Sequence, residues 1–100
     1  MAASDSSDKI AAFSNYGASS VQLSAPGVNI LSTVPDGYAS YSGTSMAAPH
    51  VTGAAALLLS INPTLTASEL KNILLSSVDP IASQQGKVSS GGRLDLGKAV

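Results

Sequence analysis

The chain has 100 residues, of which 44% are hydrophobic and 11% charged, and 5 Lys+Arg against 6 Asp+Glu leave a net charge of −1. That balance is too apolar for a disordered segment and offers no basic patch to neutralise phosphates, so nucleic acid is not an expected partner. With no Cys and a single His there is no disulfide framework, no thiol nucleophile and no thiolate or His-rich metal site.

Residues 1–20 are polar and Ser-rich around Ile10, Ala11, Ala12 and Phe13, and read as a loop with one strand end. Met1 to Asp5 lack the basic and apolar regions of a signal peptide. Val21 to Ala25 alternates apolar and polar residues, the period of a half-buried strand, and Pro26-Gly27 closes it with a turn. The β-branched stretch from Val28 to Val34 predicts a second strand. Pro35-Asp36-Gly37 is a turn signal, and Tyr38 to Tyr41 the returning strand of a short hairpin.

From Thr44 to Ile61 the chain is rich in Ala and Leu, and Asn62-Pro63 is a stop signal, which predicts a helix of about 16 residues within that stretch. It is apolar nearly all round, so it is expected to be buried on every side. The rest of so short a chain can hardly surround it. Together with 18 Ser and 15 Ala against one Phe, three Tyr and no Trp, this marks the chain as part of a larger domain. The longest unbroken apolar run, Ala54 to Leu59, falls far short of the roughly 20 residues that cross a bilayer, and no membrane is expected as a partner.

Thr66-Ala67-Ser68-Glu69 is a capping box, and Leu65 and Leu70 have the spacing of a hydrophobic staple. Leu70, Ile73, Leu74 and Val78 continue one stripe of an amphipathic helix over 66–77. Gly86 to Gly92 reads as a polar turn, and Leu94 to Val100 as the start of a last helix.

The stretch that carries chemistry runs from Gly43 to Val51. Proline is tolerated in the first turn of a helix, so Pro49 places the helix start within a residue or so of Ser45. The Ser45 hydroxyl then sits among unpaired N–H groups at the positive end of the dipole. Gly43 permits a tight turn and the close approach of another backbone. Backbone N–H groups at such a helix start can stabilise an oxyanion formed when the serine attacks a carbonyl. Two other readings fit the position: Thr44 or Ser45 as an ordinary N-cap, or an anion-binding helix start, though no P-loop Lys follows.

The complete string, Gly43-Thr44-Ser45-Met46-Ala47-Ala48-Pro49-His50-Val51-Thr52-Gly53-Ala54-Ala55-Ala56-Leu57, resembles the nucleophile segment of subtilisin-like serine peptidases, the subtilases. Phe13-Ser14-Asn15-Tyr16-Gly17, Ala25-Pro26-Gly27-Val28 and the closing segment from Gly92 to Val100 are similar to other segments of that family, in the same order. The resemblance implies an α/β fold, the C-terminal part of a subtilisin-like parallel-sheet domain. It implies that Ser45 is the acylated nucleophile of a serine endopeptidase, that its own N–H is one oxyanion donor, and that Thr44 lies beside the oxyanion hole. Met46 neighbours the nucleophile, where oxidation of its sulfur would crowd the site. Tyr41 and Ser42 match positions bordering the leaving-group side of the substrate cleft. Peptides or proteins are the implied substrates and an extracellular location is implied, with no cofactor in this chain and calcium allowed in a full-length enzyme.

A serine nucleophile needs a base, and the base an orienting partner. The only imidazole, His50, lies five residues further along the helix, about 140° round and ~7.5 Å up, and cannot reach the Ser45 hydroxyl. It reads as structural, and the lack of a downstream His also removes an α/β-hydrolase reading. In subtilases the Asp, the His and the oxyanion Asn precede the Ser, and no segment here matches them. Asp5, Asp8 and Asp36 read as solvated carboxylates, and the Ser19–Gln22 loop has no carboxylate to suggest a cation site. The chain alone is therefore expected to be an inactive, nucleophile-bearing portion of a peptidase domain, its missing partner the upstream portion. The alternative is a non-catalytic module that docks on a partner chain through its edge strand and apolar helix.

Overall fold

The computed structural model describes residues 1–100. In chain order the elements are β1 (Ala2–Ser4), β2 (Ser24–Pro26), β3 (Ile30–Val34), β4 (Gly37–Tyr41), α1 (Thr44–Ile61), α2 (Ala67–Ser76), β5 (Asp79–Pro80), a 3-10 turn (Ala82–Gln84), β6 (Gly92–Arg93) and α3 (Leu96–Ala99). Four strands form one sheet in the order β1-β2-β6-β5, while β3 and β4 form a separate antiparallel hairpin. β1 runs parallel to β2, and β2 to β6; only β5 is antiparallel to its neighbour. The architecture is α/β with a mixed, mainly parallel sheet.

Small side chains make this sheet possible. Ala2, Ala3, Ser4, Ser24 and Ala25 of β1 and β2 are all at most 1% exposed. Ala3 and Ala25 pack directly on Ala47 of α1, with Val51 and Leu94 at the margin. Further along, Ala54 and Leu58 of α1 meet Leu74 of α2, joined by Leu65, Leu70, Ile73 and Leu96. A helix lined with alanine can lie close to a sheet lined with alanine, and that closeness brings the start of α1 to the end of β2.

β1 lies in the stretch expected to be a loop with one strand end, away from the Ile10–Phe13 apolar group. Ala-Ala-Ser has no β-branched residue to signal a strand, and its extended state comes from pairing with β2. Likewise the strand expected over 21–25 begins only at Ser24. Val21 and Gln22 offer their carbonyls to the N–H groups of Ser89 and Ser90 instead. The second helix is as expected, with Thr66 and Ser77 as its flanking caps.

These residues cover α1 only in part, as expected of a chain too short to surround it. Only Ala47, Ala54 and Leu58 of its 18 residues are buried, and Leu57, Leu59 and Ile61 are exposed. The sheet covers one side of the helix and α2 part of another; these 100 residues supply no layer for the rest. By length and composition α1 also suffices to cross a bilayer, a test that core helices pass too, and its contacts here are those of a helix on a sheet.

Two polar ties hold the C-terminal segment to the rest. Gln84 is fully buried: its Oε1 accepts from the Ser24 hydroxyl at 2.6 Å and its Nε2 donates to the Asp8 carbonyl at 2.8 Å. Arg93 Nη2 donates to Asp79 Oδ2 at 2.9 Å, and Arg93 Nε lies 2.7 Å from Asp8 Oδ1, off the direction of its N–H. Asp8, expected to be solvated, is thus an ion-pair partner, because the fold returns β6 to the N-terminal loop.

Candidate active site

The site begins with two glycines. Gly27, just after β2, donates its N–H to the Ser4 carbonyl at 3.0 Å and accepts from the Gly43 N–H at 2.7 Å. A Cβ on Gly27 would stand 2.6 Å from the Ala3 Cβ and 2.7 Å from the Gly43 carbonyl oxygen. The close backbone approach expected at Gly43 does occur, but the hydrogen that permits it is on Gly27. Gly43 contributes its conformation: at φ 157° and ψ 165° it occupies a region open essentially to glycine alone.

Gly43 is the N-cap of α1, and no side chain caps this helix. The Met46 N–H closes the first turn on the Gly43 carbonyl at 3.0 Å, while the N–H groups of Thr44 and Ser45 have no intramolecular partner. Ser45 is the second helical residue and is exposed. Its hydroxyl makes no hydrogen bond within the chain, so it is not spent on capping. Pro49 is the sixth helical residue, one turn deeper than the first-turn placement expected for it, and leaves the Ser45 carbonyl without its usual i+4 donor.

Ser45 opens onto a cleft of about 490 Å³ lined by Ile30 to Val34, Tyr41, Met46, Pro49 and His50. All five consecutive residues of β3 line it. Neighbouring side chains of a strand point to opposite faces, so the cleft runs along the free edge of β3, between that edge and the first turns of α1. Tyr41 reaches it because it pairs with Ile30 at the open end of the hairpin.

Among the residues singled out from the sequence, Tyr41, Ser45 and Met46 meet at this cleft. Thr44 and Ser42 do not line it. The Ser42 hydroxyl accepts the Asn29 N–H at 2.8 Å, which ties the two ends of the hairpin just before Gly43. His50 lines the cleft, with its ring Nδ1–H donated to the Met46 carbonyl one turn back at 2.8 Å. The contribution of β3 was not legible in the sequence, where Ile30–Val34 reads as an ordinary strand. No three of the His, Asp and Glu side chains gather where they could hold a metal ion.

The order of these parts, an Ala-Pro-Gly turn, a hairpin, a glycine cap and an uncapped serine at the head of an alanine-lined helix, has close counterparts. A family model described as the Subtilase family matches residues 1–93. The chain belongs to the subtilase family.

Subtilisin DY of Bacillus licheniformis is 53% identical over 74 residues, covering 73% of this chain and 27% of its own length. Subtilisin-like protease 1 of Plasmodium berghei (strain Anka) is 52% identical over 80 residues, 79% of this chain and 13% of the relative. The A-subunit of the AB5 toxin from E. coli superposes with a TM-score of 0.80 at 42% identity, over 86% of this chain and 28% of that one. This subtilase chain thus spans between 13% and 27% of the length of the two curated relatives. Its α/β sheet and helices are those of a subtilase domain, in a family of serine peptidases.

Proposed function

We propose that this chain is the nucleophile-bearing part of a subtilisin-like serine endopeptidase, with Ser45 as the nucleophile. The observation that carries the reading is the exposed, unbonded Ser45 hydroxyl at the head of an uncapped helix, facing a cleft. In the intact enzyme Ser45 Oγ attacks the scissile carbonyl of a peptide. An imidazole from sequence outside these 100 residues takes the Ser45 proton and passes it to the leaving amine. The free Ser45 N–H is one donor to the oxyanion, Thr44 and Gly43 shape the turn beside it, and Met46 and Tyr41 border the bound substrate. Water then hydrolyses the acyl-enzyme.

Ser42 borders the leaving-group side of the substrate in this reading, and its hydroxyl ties the hairpin closed beside the cleft. The chain alone is inactive, because its one imidazole, His50, lies five residues along the same helix and is turned away from the Ser45 hydroxyl. The partner is the remainder of the peptidase domain, which covers the apolar residues that α1 leaves exposed. An extracellular location is part of the same reading, favoured by one relative, 45% identical, called "Extracellular basic protease" in Dichelobacter nodosus.

Labelling of the longer enzyme with a fluorophosphonate probe tests the assignment. Ser45→Ala removes the label and the acyl-enzyme; a label that survives the substitution sinks it. The competing reading, a docking module without catalysis, is favoured by the same exposed face of α1. It predicts that residues 1–100 melt sharply as a monomer, and that no segment added in trans restores hydrolysis.

A further inference from the structure

The hairpin tip has a chemistry of its own. Asp36, the second residue of the Pro35-Asp36 link, and Gly37, the first residue of β4, are both exposed, with Asp36 in the left-handed region at φ 66°. The five aspartates differ in the groups that hold their carboxylates and in the residue that comes next in the chain. Asp5 accepts the N–H groups of Ser7 and Lys9. Asp8 and Asp79 are paired with Arg93, and Asp79 precedes Pro80, which has no N–H. Asp95 accepts the Lys98 N–H. Asp36 alone has no hydrogen-bond or ion-pair partner, and it alone precedes glycine.

We propose that Asp36-Gly37 is a site of spontaneous aspartate isomerisation. The Gly37 amide nitrogen adds to Cγ of the protonated Asp36 carboxyl. The amide proton and the carboxyl hydroxyl leave as water, and a five-membered imide closes. Water then reopens either of two C–N bonds. Cleavage at Cγ restores Asp36, whereas cleavage at the former main-chain carbonyl gives isoaspartate, with the backbone running through Cβ. One water leaves and one returns, and no other reactant is needed.

The structure leaves the approach open. Apart from its two chain neighbours, no heavy atom lies within 4 Å of where a Gly37 Cβ would stand, so the tip has open space beside Gly37. Neither β3 nor β4 has a buried residue, and the two strands pair only with each other, so the tip opens locally at little cost. The product adds one carbon to the main chain at the tip. The register that runs from Val34–Gly37 to Ile30–Tyr41 then shifts at the edge of the Ser45 cleft. This inference does not depend on the catalytic reading.

The test incubates the full chain in water enriched in oxygen-18 at neutral pH and body temperature, followed by tryptic digestion in ordinary water. Asp36 is the sole Asp in the tryptic peptide 10–71, so heavy oxygen can be assigned there. The expected result is isoaspartate and heavy oxygen in peptide 10–71 at about ten times the level of the other Asp-bearing peptides, at a rate within about tenfold of a synthetic 33–40 peptide. Asp36→Glu removes the signal, and Asp36→Asn accelerates imide formation with loss of ammonia. Heavy oxygen spread evenly over all Asp-bearing peptides overturns the proposal. So does reaction in the synthetic peptide with none in the folded chain, or a signal that persists in Asp36→Glu.

Discussion

The two long helices start in opposite ways. α2 opens on a complete capping box: the Thr66 hydroxyl accepts the Glu69 N–H at 3.2 Å, and Glu69 Oε1 accepts the Thr66 N–H at 3.1 Å. Its beginning is set by residues within one turn of itself. α1 opens on a glycine with no side-chain cap, and its start is set by the contact of Gly43 with Gly27, sixteen residues earlier in the chain. A locally capped helix has its terminal N–H groups occupied and is chemically quiet. A helix positioned by tertiary contact can leave its first N–H groups and a nearby hydroxyl free for a ligand. The difference separates a structural helix from one fit to carry a nucleophile.

The contrast is open to attack by substitution. The largest effect is expected at Gly27→Ala, where the new methyl meets the Ala3 Cβ and the Gly43 carbonyl. A loss of about 3 kcal/mol or more in urea denaturation is expected, with hydrogen exchange rising first at the head of α1. A mild loss would mean that the Gly27–Gly43 contact does not set that helix start.

Next comes Gln84→Ala, which leaves the buried Ser24 hydroxyl only its long contact to the Gly92 carbonyl, removes the donor to the part-buried Asp8 carbonyl, and costs about 2 kcal/mol by the same measurement. It sharpens the comparison if exchange rises around β2 and the head of α1 while α2 stays protected. Thr66→Ala should cost about 1 kcal/mol and loosen the first turn of α2 with no change at Ser45. Ser45→Ala is the smallest: stability should stay within about 0.5 kcal/mol, because this exposed hydroxyl caps nothing. A cost for Ser45→Ala equal to that of Thr66→Ala would make Ser45 an ordinary cap and erase the distinction.

Local chemistry made much of the molecule legible. Asn62-Pro63 ends α1 where expected, Thr66 and Glu69 begin α2, and Pro35-Asp36-Gly37 turns the hairpin; each is a signal carried within a few residues. The position of Ser45 at the head of α1 was equally legible, although Pro49 gave the right start by an argument one turn too strict. β1, β5 and β6 were not legible, since strands of two or three residues exist only through their neighbours. The ion pair of Arg93 with Asp8 and the buried Ser24–Gln84 bond join residues far apart in sequence and have no local signature.

The sequence alone determined that a serine stands at the head of an alanine-rich helix, that no second imidazole is present to activate it, and that the segments around it resemble a subtilase. Those conclusions depend on residue identity and short spacings, which are local properties of the chain. Tertiary structure decided that Gly27 as well as Gly43 must lack a side chain, that the edge of β3 walls the cleft, and that α1 is covered on one side only. Each of these depends on how closely two distant backbone segments approach, and that distance is set by packing.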